Sequence, residues 1–233
     1  MNNNYWSNGS IVENANQRIQ TYMNHVYGWM SVGLLLTGLV AWFASTNVAL
    51  LQMLYKGMWV LAIAQIGIVF VLSGMVKKLS GSAATALFMV YSVLTGLTCS
   101  IYLLVFTGES IASTFFVTTG MFAALSVYGY STKRNLSGLG SFLFMGLIGI
   151  VLASLINFFL KSEPLMWAIT YIGVFVFALL TAYDTQKLKQ FGETVSTDDA
   201  DSFRRYAIIG ALTLYLDFIN LFIMLLRILG DRR

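Results

Sequence analysis

The chain has 233 residues, 58% of them hydrophobic and only 10% charged, with a mean hydropathy of +0.74. Soluble domains carry about 25% charged residues, so this chain has too little polar surface to cover a globule in water. Its net charge of +4 does not point to nucleic acid, because the Lys and Arg residues fall in short clusters between apolar runs, as in membrane proteins.

Residues 1–25 are polar and Asn-rich and read as a tail. They are not read as a signal peptide, since no small-residue cleavage site follows the first apolar run. A helix needs about 20 apolar residues to cross the hydrocarbon core. Seven such runs follow: Val26–Ser45, Met58–Val76, Ala83–Phe106, Ile111–Tyr130, Leu139–Leu160, Leu165–Tyr183 and Tyr206–Leu229. They are continuous rather than alternating and too long for barrel strands. The expected fold is therefore an all-α membrane protein, a seven-transmembrane-helix bundle over residues 26–230 behind the 1–25 tail. Connectors are short except Asp184–Arg205, which holds Asp198, Asp199 and Asp201.

Ser92, Gly96 and Ser100 form a small-residue face, as do Gly149 and Ala153; such faces let helices approach closely. Lys77-Lys78-Leu79-Ser80-Gly81 is echoed by Lys133-Arg134-Asn135-Leu136-Ser137-Gly138, a pattern that fits either a duplicated helix pair or basic anchors followed by a Ser cap. With seven spans, the N-terminal side collects Arg18, Lys77, Lys78, Lys133, Arg134, Lys187, Lys189, Arg204 and Arg205, against Lys56 and Lys161 in the opposite connectors. This predicts a cytoplasmic N-terminus. It also puts Arg227, Arg232 and Arg233 outside, which a re-entrant last segment would avoid.

The sequence carries no enzyme signature. His25 is the only histidine and Cys99 the only cysteine, so His-rich metal sites and disulfides within the chain are excluded. No cofactor or resident metal is expected. The informative residues are intramembrane carboxylates. Asp217 lies 11 residues into the last run, about 16 Å along a helix. A charge at that depth costs at least about 2.5 kcal/mol, so it should be paired, protonated or facing water, with Asn220 one turn away as the simplest partner. Asp184 closes the sixth run. Should the two meet, they cannot both ionise cheaply and titrate as a unit. Ionised, they offer hard oxygen ligands to Ca²⁺. Arg227 suits an end anchor that snorkels to the interface.

Three stretches carry a resemblance: Val26-Tyr27-Gly28-Trp29-Met30, Thr181-Ala182-Tyr183-Asp184-Thr185-Gln186-Lys187, and Ala211-Leu212-Thr213-Leu214-Tyr215-Leu216-Asp217-Phe218-Ile219-Asn220-Leu221-Phe222, continuing to Leu225-Leu226-Arg227. The chain resembles the Bax inhibitor-1 (TMBIM) family, in particular its bacterial inner-membrane branch. That resemblance implies a seven-helix bundle with the last helix central. It also implies a pH-sensitive calcium leak controlled by an aspartate pair, which carries over onto Asp184 and Asp217. Some relatives pair the sixth-span aspartate with a second-span arginine; here that span has no Arg, and Gln65 is its main polar residue. Other bacterial relatives restrain the membrane AAA protease FtsH, which makes a protease partner docking on the 1–25 tail the rival expectation.

Overall fold

The computed structural model describes residues 4–196 and 199–233, with side chains from Ala15 onward except Tyr55; Asp198 lies outside the described residues. The long elements are all α-helices: α1 (Asn4–Ser45), α2 (Val48–Lys56), α3 (Met58–Gly74), α4 (Gly81–Val105), α5 (Gly108–Ser131), α6 (Ser137–Leu160), α7 (Glu163–Thr194) and α8 (Ala200–Leu229). Six of them, counting α1 from Ala15, are long and apolar enough to cross a membrane alone. The expected second span is the exception. Its helix α3 has 17 residues, about 26 Å at 1.5 Å per residue and short of a 30 Å core. It follows α2 across a 69° bend at Gly57. Asn47 starts α2 by accepting the Leu50 N–H at 3.1 Å, a side-chain cap that turns expected connector into helix.

The exposed surface explains where the chain resides. Val60, Ile63 and Phe70 on α3, and Phe142, Phe144, Met145 and Phe159 on α6, are all more than half exposed. Apolar surface on this scale is not left to water, whereas hydrocarbon covers it at no cost. Helices are also the form in which an open chain satisfies its backbone polar groups there. The protein is a multi-pass membrane protein.

The described chain forms two compact units, and α4, α7 and α8 contribute a segment to each. The first comprises residues 1–101 and 188–212. Within it α1 lies close against α4. A side chain added at Gly96 would meet the Thr37 carbonyl oxygen at 2.7 Å and Val40 Cβ at 2.8 Å. Thr37 donates to the Ser92 carbonyl at 3.0 Å, and Ser92 and Ser100 are fully buried. The small-residue face on this helix is thus a packing face. At the other expected face, Gly149 is exposed, with open space where a Cβ would sit, and only Ala153 packs against a core, so the expectation is corrected at Gly149.

The polar tail is helical from Asn4 and runs into the first span without a break. Ile19, Tyr22 and Met23 on it are buried. Tyr22 packs edge-on to Phe203 at 6.1 Å and against Phe191 at 5.6 Å, and its hydroxyl donates to the Tyr206 carbonyl at 3.2 Å. This cluster explains why α7 outruns its apolar stretch. The run ends at the first charge, Asp184, but Leu188 and Phe191 keep packing, and the helix continues to Thr194. The long connector expected at Asp184–Arg205 therefore shrinks to the few residues between Thr194 and Ala200.

The second unit comprises residues 102–187 and 213–233. Its core joins Leu143 and Ile150 of α6, Ile169, Val176, Phe177 and Leu180 of α7, and Leu221, Met224 and Leu225 of α8.

Candidate functional site: a carboxyl pair in the second unit

Asp184 and Asp217 both belong to the second unit, and their side chains are hydrogen-bonded to each other. Each sits well inside a helix. Asp217 has 17 residues of α8 before it and 12 after it. Asp184 has ten residues of α7 beyond it, about 15 Å of helix. The sequence reading left Asp184 at the end of its span, too shallow to match Asp217; the longer α7 removes that mismatch.

The chemistry of the pair follows from hydrogen-bond inventory. An ionised carboxylate only accepts, so a bond between two carboxyls requires at least one proton. Asp217 is 4% exposed, so the bond it shares with Asp184 is made away from the surface.

The other candidate residues fall outside the pair. Asn220 donates its amide to the Leu216 carbonyl at 2.8 Å, so it ties down its own helix. Arg227 lies in the last turn of α8, ten residues and about 15 Å beyond Asp217. Gln65 donates to Thr95 at 3.1 Å in the first unit, and so takes up an α3–α4 contact instead of an aspartate.

Three features around the pair escaped the sequence reading. Gln186, two residues past Asp184, is buried and bridges the α5–α6 turn: its Oε1 accepts the Leu136 N–H and its Nε2 donates to the Arg134 carbonyl, both at 2.8 Å. Thr185 donates to Ser126 of α5 at 3.3 Å, and Gly129 lies directly on the Ala182 backbone, leaving no room for a Cβ. The third is at the far end of α8. The Thr107 N–H donates to the Asp231 carbonyl at 3.0 Å, the Asp231 N–H to Ser110 Oγ at 3.0 Å, and the Arg233 N–H to the Val105 carbonyl at 2.9 Å. The recurrence of Ser110, Thr114 and Thr118 at intervals of four, with Ser126 eight residues on, was the available signal for a buried polar face on α5.

A chain with several apolar helices and a hydrogen-bonded carboxyl pair between two of them defines a class, the polytopic membrane proteins with an ionisable intramembrane site. The particular family is settled by comparison. The sequence profile described as inhibitor of apoptosis-promoting Bax1 matches residues 19–233, and the chain belongs to this Bax inhibitor-1 family. It is 63% identical over 218 residues to the inner membrane protein YbhL of Escherichia coli, covering 92% of this chain and 93% of that one. It is also 42% identical over 215 residues to a protein of Borreliella burgdorferi, covering 91% and 92%, and 35% identical over 231 residues to YrjE of Lactococcus lactis, covering 96% of both.

Proposed function

We propose that the protein is a passive, proton-gated cation leak, with Ca²⁺ as the permeant ion, in a bacterial inner membrane. The observation that carries this reading is the bond between Asp184 and Asp217. A shared proton ties α7 to α8; once both groups ionise, two negative charges face each other and the tie becomes repulsion. The same ionised oxygens suit a hard cation.

Seven spans with a cytoplasmic N-terminus and the last helix central are part of this proposal. α8 is bonded at its start to the first residue of α4, through Asp201 and the Gly81 N–H at 2.8 Å. At its finish it is followed by Arg233, bonded to the residue that ends α4. Contacts at opposite ends of α4 support a last segment that crosses over one that returns to the side it left. Two-thirds of the apolar stretch of α8 is buried, the largest share among the six long helices, which supports a central position. The inner-membrane placement rests on the relative in Escherichia coli.

Purified protein in proteoliposomes should pass Ca²⁺ at a rate that steps between two levels across mildly acidic pH. Asp217→Asn and Asp184→Asn should each hold a single level. Unchanged flux and unchanged pH dependence in both variants would sink the proposal. The rival reading, a regulator that binds a membrane AAA protease of the FtsH type through residues 1–25, has less to stand on. Burial of Ile19, Tyr22 and Met23 commits one face of that tail's described part to packing within the first unit.

A further inference from the structure

Four hydroxyls on α5, Ser110, Thr114, Thr118 and Ser126, are buried on one face, with Phe122 between the last two. Steps of four residues space them about 6 Å apart, a distance that one or two water molecules bridge. Membrane helices ordinarily quiet such hydroxyls by bonding them back to their own carbonyls. Thr118 does this, donating to Thr114 O at 2.8 Å. Thr114 does not: it is 1% exposed, and its Oγ1 has no hydrogen-bond partner among the described residues.

The register of α5 on α8 brings this face to the level of the aspartates. Phe218 packs on Phe122 at 5.5 Å and on Phe115 at 5.6 Å, Phe222 on Phe115 at 6.3 Å, and Asp231 on Ser110. The two helices therefore run antiparallel, and Asp217, one residue before Phe218, falls at the level of Thr118. The buried carboxyl of Asp217 and the unmatched Thr114 hydroxyl belong to this same unit. An unmatched hydroxyl in a seam of buried polar groups is what internal water satisfies.

We propose that the face Ser110–Thr114–Thr118 lines a water-filled path that brings small hydrated cations, hydronium included, to Asp217 from the Asp231 end, and that Phe122 against Phe218 closes it beyond the pair. This deepens the aspartate-pair reading. It rests on that reading for what the path carries, but not for the presence of water.

The test uses the full chain in proteoliposomes, in a Cys99→Ser background. Single cysteines replace Ser110, Thr114, Thr118 and, as a lipid-facing reference on the same helix, Phe116, which is 74% exposed. The probe is a small cationic methanethiosulfonate. Cysteine reacts as the thiolate, which hydrocarbon suppresses, so positions 110, 114 and 118 should react roughly tenfold or more faster than 116. Reaction at 114 and 118 as slow as at 116 overturns the path. Radiolytic hydroxyl-radical footprinting of the unmodified protein gives an answer independent of how the variants fold: Phe122 and Phe218 should be oxidised more than lipid-facing Phe159, and equal protection of all three overturns the path. Labelled 114 and 118 without Ca²⁺ flux in the wild type would remove the channel and leave the water path. Flux with these positions unlabelled would do the reverse.

Discussion

The two units bury polar helix faces in opposite ways. In the first, α4 carries Thr85, Ser92, Thr95 and Ser100, each donating to a carbonyl of its own helix at 2.6–2.9 Å. Two of them also receive a neighbour, Thr85 from Arg204 Nε at 3.0 Å and Thr95 from Gln65 at 3.1 Å. In the second, α5 leaves Thr114 unmatched, and an aspartate pair holds α7 to α8. The lesson is that a run of buried hydroxyls says little by itself. Saturated hydroxyls are packing material, whereas unsaturated ones beside a carboxyl pair mark a place where water and ions have a reason to be.

The echoed turns sharpen the contrast. The Leu79–Gly81 turn is gripped by charged side chains of α8: Arg205 donates to the Leu79 carbonyl at 2.8 Å, and Asp201 accepts the Gly81 N–H at 2.8 Å. The Arg134–Leu136 turn is gripped by one neutral side chain, Gln186. Both grips satisfy backbone groups that a turn leaves open, by different chemistry.

The largest effect should come from forcing helices apart. Gly129→Leu has to displace the Ala182 backbone, and Gly96→Leu the Thr37 carbonyl. Overpacking of this kind costs about 1–3 kcal/mol; both variants should melt well below wild type in detergent, with Gly129→Leu also altering any pH step in flux. A Gly96→Leu variant that alters the step while Gly129→Leu leaves it intact would reverse the assignment of function to the second unit.

Next comes the pair of clamps. Gln186→Leu strips two partners from the Arg134–Leu136 turn, and each buried unmatched group costs about 1–3 kcal/mol. Asp201→Ala should free the Gly81 amide in the same manner. Hydrogen exchange of these amides tells the clamps apart. Added salt should speed exchange at Gly81, whose partner is charged and partly exposed, and leave Leu136 unchanged.

A smaller effect separates the hydroxyls. Thr95→Val leaves the Gln65 amide without its acceptor and should cost about 1 kcal/mol. Thr114→Val removes an oxygen that has no partner to lose, so stability should hold while flux falls. Equal destabilisation by both would erase the distinction drawn between α4 and α5.

The smallest effect concerns the start of α8. Asp199 accepts the N–H groups of Asp201 at 3.1 Å and Ser202 at 3.3 Å. The Ser202 hydroxyl and N–H hold its carboxyl below the usual 3.8. A group whose folded value is depressed stabilises above its unfolded value and loses that contribution as pH falls through the folded one. The melting-temperature gap between wild type and Asp199→Asn should thus be constant at neutral pH and close only below pH 3.8. A gap that closes on the alkaline side would contradict the cap.

Much of the protein was legible in its residues. Membrane residence, helices instead of strands, and the family followed from run length, charge scarcity and the Asp184 and Asp217 stretches, because a bilayer tolerates few alternatives to an apolar helix. Six of the seven predicted runs became helices able to cross a membrane alone. The seventh, α3, stops at 17 residues and falls short of the core alone; it follows the separate helix α2 across the bend at Gly57, which hydropathy does not register. The extent of α7 was equally hidden. Hydropathy reports what a segment does in lipid, and past Asp184 the helix is sustained by packing on Tyr22, a residue far away in sequence. That extension, and with it the meeting of Asp184 with Asp217, belongs to tertiary structure. So does the difference between two hydroxyl faces that read alike in one dimension, since satisfaction of a polar atom depends on which neighbours arrive.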